Sequence, residues 1–423
     1  MSHVRLSPSF LLPAGLAFAF LTCSTPPSSP DASLATGPPP VVEITPGFGA
    51  SPLSGFVRLI PAASSEGWRY RVEPITTEPQ AWRGVVDGPV SIPFRIEESG
   101  IHTIRAEFEG PDGPVTVEER VIVSDSEADF EVLAQRPLAG IVDYPEGIAI
   151  DPEGRWLYVA GYRYGQIARL DAHTLEVQDR TTIQPHVAGL SITPDGDRLV
   201  AVHELPHVSV LRLPDLELAW ESPRFGRFFS YALDERRALL SGRELRLVDL
   251  DRREAIAEAG GLNFWHFAVD PAGQRVAVIE GESVEIRTLS SLSLIRRIPG
   301  FYGQALAFDP HEDKLYVMTD DRLLVIDPST GTTLVSIVLD RGCVFCSANP
   351  VATFASGRYV AFERSGAVDI VDTELDLPRF RFDGGHPPGS KPAAVAALPE
   401  SDVFYVLGGP EMAVYKLRVR RMP

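Results

Sequence analysis

The chain has 423 residues, with 57 acidic against 39 basic residues and a formal net charge of −18. It carries 37 Pro and 35 Gly beside 44% hydrophobic residues, an ordinary globular share. Together these exclude a wholly disordered chain, a collagen and a multi-span membrane protein. The acidity also argues against a nucleic-acid binder, which needs clustered cations to neutralise phosphates.

Residues 1–23 read as an export signal. His3 and Arg5 give a weakly positive start, and Phe10 to Leu21 is an apolar run too short to span a membrane. It ends at Phe20-Leu21-Thr22-Cys23-Ser24, which resembles the lipobox of bacterial lipoproteins. The resemblance implies lipidation at Cys23, and Ser24 after it implies the outer membrane. Ordinary signal cleavage nearby, giving a periplasmic protein, is the alternative. Residues 24–40 hold six Pro and no aromatic residue, so they read as an extended linker that cannot build a core.

Residues 41–125 show short runs of period-two alternation, the pattern of half-buried strands. Examples are Phe56-Val57-Arg58-Leu59-Ile60, Trp68-Arg69-Tyr70-Arg71-Val72 and Ile101 to Phe108, with a last strand from Val115 to Val123. Gly110-Pro111-Asp112-Gly113 reads as a hairpin turn between two of them. The segment is expected to be a β-sandwich serving as a spacer or adhesion module. Its end, from Glu98 through Val123, resembles the last hairpin of immunoglobulin-like bacterial surface modules such as PKD domains.

Residues 126–423 repeat. The stretch from Gly147 (GIAIDPEGRWLYVA) returns in outline from Gly189, Ser230, His266, Ala305, Pro350 and Ala394. The equivalent positions Asp151, Thr193, Asp234, Asp270, Asp309, Phe354 and Leu398 are separated by 42, 41, 36, 39, 45 and 44 residues. Several short strands per unit at that period predict propeller blades. The last unit stops after its third strand, and an orphan run at Asp129–Arg136 is available to complete it. The expected fold is therefore all-β: an immunoglobulin-like sandwich, then a seven-bladed β-propeller closed by an N-terminal strand. Pro145-Glu146-Gly147-Ile148-Ala149-Ile150-Asp151-Pro152 with Leu157-Tyr158-Val159, and Lys314-Leu315-Tyr316-Val317 with Leu324 to Gly331, resemble the YVTN family of β-propellers, related to the YncE-like proteins. That resemblance implies a surface, periplasmic or binding protein.

Candidate binding residues follow from propeller geometry, in which the start of each first strand lines the central channel. Seven residues before the equivalent positions stand Tyr144, His186, Arg227, Asn263 and Tyr302; two further on come Glu146, Phe229, Trp265 and Gln304. This polar and aromatic ring suits a small polar or ring-stacking ligand, although channel mouths are also polar simply because they are wet. His203 and His207, near His186, have the spacing of a metal pair only on a helix, so hydrogen-bonded histidines are the expectation. Cys343 and Cys346 fit a tight local disulfide in an exported protein, with free thiols as the alternative. No nucleophile elbow, phosphate loop or zinc-protease motif occurs, and no cofactor or metal is implied. The sequence thus points to a binding or scaffold protein of the bacterial envelope. Its partner would be a protein or a small polar ligand, and it would touch the membrane only through a lipid anchor. A propeller hydrolase such as a lactonase is the runner-up.

Overall fold

The computed structural model describes residues 40–51, 53–60, 68–72, 82–86, 89–110, 113–124, 129–225, 229–260, 264–300, 303–319, 321–339, 351–364, 367–382, 394–408 and 412–420. The molecule is all-β. The export signal, Cys23 and the linker up to residue 39 lie outside the described residues.

Alternation builds two sheets between residues 41 and 124. Val90–Ile96 shows how: Ile92, Phe94 and Ile96 are buried, while Ser91, Pro93 and Arg95 face solvent. It pairs antiparallel with Leu53–Ile60, which pairs with Val41–Thr45. The second sheet joins Trp82–Val86, Trp68–Val72, Gly100–Gly110 and Gly113–Ser124, with Phe48–Ala50 added parallel to the last. Val57, Leu59 and Phe94 of the first sheet share one core with Ile104, Phe108 and Val121 of the second. Each such side chain contributes roughly 1.5–3 kcal/mol.

Seven four-stranded antiparallel sheets, I to VII, follow. Sheet I contains Pro145–Ile150, Trp156–Gly161, Gln166–Asp171 and Val177–Thr182 in chain order. Sheets II to VI span residues 187–222, 230–260, 264–299, 303–338 and 352–382 in the same order. Sheet VII takes three strands from residues 395–419, and its fourth is Phe130–Pro137, paired antiparallel with Ala413–Val419. First strands run beside one another: Pro145–Ile150 touches both Val187–Ile192 of sheet II and Val395–Ala397 of sheet VII.

The repeating Asp has a local task. Asp151 Oδ1 accepts hydrogen bonds from the backbone N–H groups of Arg155 (2.6 Å) and Trp156 (2.9 Å), closing the turn between the first two strands. Asp234, Asp270 and Asp309 cap their turns likewise, and Thr193 uses its hydroxyl. Phe354 has no acceptor to offer. Sheet VI instead turns through Ala355 and Ser356 at φ 52° and 55°. Their N–H groups donate to the Ser401 and Pro399 carbonyls of sheet VII.

The N-terminal module packs against the repeating sheets. Phe48 and Ile122 are buried in one cluster with Tyr316, Met318, Leu323 and Val325 of sheet V and Val360 and Phe362 of sheet VI. The Gly47 N–H donates to the Val338 carbonyl at 2.8 Å, and Phe48 bridges Leu339. Ser124 Oγ donates to Asp129 (2.7 Å) and accepts from the Arg381 N–H (2.7 Å), tying the module to sheet VI's outer strand.

Candidate functional site

The site is built by short loops that leave sheets I and II on one side. Tyr144 precedes the first strand of sheet I and His186 that of sheet II, and both hold left-handed backbone (φ 50° and 64°). This conformation is uncommon for a residue with a Cβ and is sustained by its surroundings. The Tyr144 carbonyl accepts from the Tyr162 N–H (2.8 Å), and the His186 carbonyl from the Glu204 N–H (2.8 Å). His186 in turn donates its own N–H to the Tyr162 carbonyl at 2.5 Å. Tyr162 and Glu204 each follow the second strand of their sheet, so equivalent loop positions of neighbouring sheets meet.

Their side chains meet as well. The Tyr162 hydroxyl donates to the Glu204 carboxylate. The His186 ring packs edge-on against Tyr162, with centroids 4.9 Å apart, and its Nδ1 is buried without a hydrogen-bond partner. Next to Tyr162, the Arg163 guanidinium lies 5.7 Å from the Tyr144 ring and 5.5 Å from the Tyr164 ring, within cation–π range.

His203 supports this arrangement from below. It is fully buried. Its Nδ1 is 2.9 Å from the Pro185 carbonyl and its Nε2 3.1 Å from Ser209 Oγ. A carbonyl only accepts, so Nδ1 carries the proton and the serine hydroxyl donates to Nε2. Burial pushes the pKa of this imidazole down to about 4. The neutral ring therefore fastens the loop that carries His186. The His203 and His207 rings stand edge to face, centroids 4.8 Å apart, and His207 lies 3.4 Å from Glu221. Among the described residues no group of three His, Cys, Asp or Glu is close enough to hold a metal ion.

The other ring positions divide. Glu146 and Gln304 fall where the pairing of first and second strands slips by one residue, and Trp265 falls in the irregular stretch between Phe264 and Phe267. Phe229 donates its N–H to Ser241 Oγ (3.1 Å) and packs edge-on against His266, 5.1 Å between centroids. Arg227, Asn263, Tyr302, Cys343 and Cys346 lie outside the described residues. The ring reading missed Tyr162, Arg163 and Tyr164. Their signal was a Tyr-Arg-Tyr run directly after a strand, where the first loop residue of the next unit is Glu204.

No protein-family model matches the chain, and no curated protein matches it significantly.

Proposed function

We propose that the chain is an exported, lipid-anchored protein of the bacterial cell envelope that works by binding or scaffolding through one loop face. In this reading sheets I to VII are the blades of a closed seven-bladed propeller of the YVTN type, and residues 41–125 are an immunoglobulin-like sandwich beside it. The apolar run 10–21 ahead of Cys23 and the Pro-rich stretch after it support export and anchoring. Contact between the first strands of sheets VII and I, and the pairing of Phe130–Pro137 with Ala413–Val419, support closure.

One observation carries the binding face: hydrogen-bonded loops of adjacent sheets bring Tyr144, Tyr162, Arg163, Tyr164, His186 and Glu204 together, with Tyr144 and His186 held in left-handed backbone. A photoreactive amino acid at position 164 is expected to form adducts with envelope material, whereas the same group at position 295, on the outer strand of sheet IV, is not. Adducts at 295 with none at 164 would show that the loop face is not the binding face.

A further inference from the structure

Two tyrosines on the loop face are exposed although their neighbours are tightly placed. Tyr144 is 47% exposed and Tyr164 is 55% exposed. Both rings flank Arg163. Exposed rings give up the burial that makes an aromatic side chain stabilising, and Tyr144 holds left-handed backbone besides. Next to them the chemistry changes from apolar to polar. The Tyr162 hydroxyl and the Glu204 carboxylate it donates to lie within the same pair of loops, and the Arg163 guanidinium between the two exposed rings adds N–H donors.

A ligand that uses both parts has flat C–H faces and a rim of hydroxyl groups. Resting on the loop-face reading above, the geometry points to a neutral saccharide, its ring stacked on Tyr144 or Tyr164 and its hydroxyls paired with Glu204 and Arg163. Other ligand classes fit these residues less well. An anion meets the Glu204 carboxylate on a chain of net charge −18. A wholly apolar ligand would take the Arg163 guanidinium out of water with no polar group of its own to offer it. A small cation finds a carboxylate that already accepts from Tyr162.

The test is affinity electrophoresis of the full chain through gels containing dextran, hydroxyethylcellulose or laminarin, all neutral. At least one polysaccharide is expected to retard the protein. Tyr144→Ala and Tyr164→Ala are each expected to weaken that retardation about tenfold, the loss of one stacked ring. Leu294→Ala, an exposed change on the outer strand of sheet IV, is expected to leave it unchanged. If none of the three polysaccharides retards the protein, or both tyrosine variants run like the parent, the saccharide assignment is wrong. Should adducts still form at position 164 in that case, the loop face remains the binding face and only the ligand class falls.

Discussion

Five residues with side chains hold left-handed backbone at one repeated place, the turn between third and fourth strands. They are Leu175, Leu216, Arg253, Leu292 and Asp376; Gly331 fills the position in sheet V. Leu175, Arg253, Leu292 and Gly331 each donate their N–H to the carbonyl four residues back. Left-handed backbone costs roughly 1–2 kcal/mol for an L-residue. Burying a leucine returns roughly 1.5–3 kcal/mol, so the buried Leu175, Leu216 and Leu292 persist. Arg253 is exposed, and its return is a long contact of its guanidinium over the Trp220 ring, 6.0 Å to the centroid, which is worth less than burying a leucine. Arg253→Gly is therefore expected to raise stability by about 0.5 kcal/mol, and Gly331→Ala to lower it by about 1 kcal/mol. A Cβ on Gly331 would sit 3.4 Å from Ile298, ordinary contact, so that cost is conformational. Urea midpoints of the two variants should move in opposite directions; a shared sign would refute the strain argument. His203 gives a second prediction at this scale. Its pKa is about 4 when folded, against 6.5 unperturbed, so the unfolded chain takes the proton first. The stability it contributes is full above about pH 6.5 and is lost as pH falls towards 4, a loss of about 3 kcal/mol. The urea midpoint should fall less steeply between pH 7 and 4.5 in His203→Gln than in the parent. Equal slopes would mean that His203 is not the titrating group.

At the scale of elements, the join between the N-terminal module and sheets V and VI rests on two strands. In Gly113–Ser124 the run Val121-Ile122-Val123-Ser124 is buried throughout. Val121 and Val123 face the module's own core, while Ile122 packs with Phe48 against sheets V and VI. Phe48→Ala is expected to cost about 3–5 kcal/mol, the usual range for emptying a phenylalanine site. If the two parts behave as one body, that loss appears in the single main unfolding transition; a loss under about 1 kcal/mol would mean that the module is loosely attached. The uneven legibility of the chain has the same origin as this join. Period-two alternation locates the strand Val115 to Val123, because alternation is a local property. Burial on both faces replaces alternation with a continuous apolar run, but three residues are too few to reveal it, and nothing local names partners about 200 residues away. The candidate site divides in the same way. Tyr144 and His186 sit at a constant distance before the Asp or Thr that caps the next turn, so aligning the units finds them. Tyr162 to Tyr164 sit in loops whose length changes from sheet to sheet: 162–165 in sheet I, 241–243 in sheet III, 281–282 in sheet IV. The first loop residue lies eleven positions after the capping residue in sheets I, II and IV (Tyr162, Glu204, Gly281), but it lies seven after in sheet III, and the residues beyond it have no counterpart in the shorter loops.

At the scale of the whole molecule, each sheet depends on its neighbours. One cluster joins Leu157 and Val159 of sheet I to Tyr405 and Leu407 of sheet VII, another Val200 and Val210 of sheet II to Leu240 and Val248 of sheet III. In such an array stability is a sum of neighbour terms, and the weakest neighbour pair loosens first. The weak place by construction is sheet VII, because its fourth strand comes from the other end of the repeat array. Phe130 opens that strand. Its ring lies edge-on to Phe380, Phe382 and Phe404, with centroids 6.1, 5.6 and 6.0 Å away, so one side chain joins the early strand to both sheets VI and VII. Beside it the Arg420 N–H donates to the Asp129 carbonyl at 2.8 Å. Phe130→Ala removes the three ring contacts but leaves the backbone ladder able to form, and it is expected to cost about 3–5 kcal/mol. The loss should also be local. Amide hydrogen exchange should accelerate first in residues 352–382 and 395–419, while residues 187–260 keep their protection, because no cluster containing Phe130 reaches sheets II and III. Deleting everything before Leu138 is the harsher test. Ala413–Val419 would then present an unpaired edge, a template for association, and the apolar surface of sheets V and VI that Phe48 and Ile122 cover would be exposed as well. That variant is expected to form concentration-dependent oligomers by light scattering, whereas Phe130→Ala stays monodisperse. If exchange instead rises evenly across all seven sheets in Phe130→Ala, the pairing of Phe130–Pro137 with Ala413–Val419 is not the point at which the molecule opens.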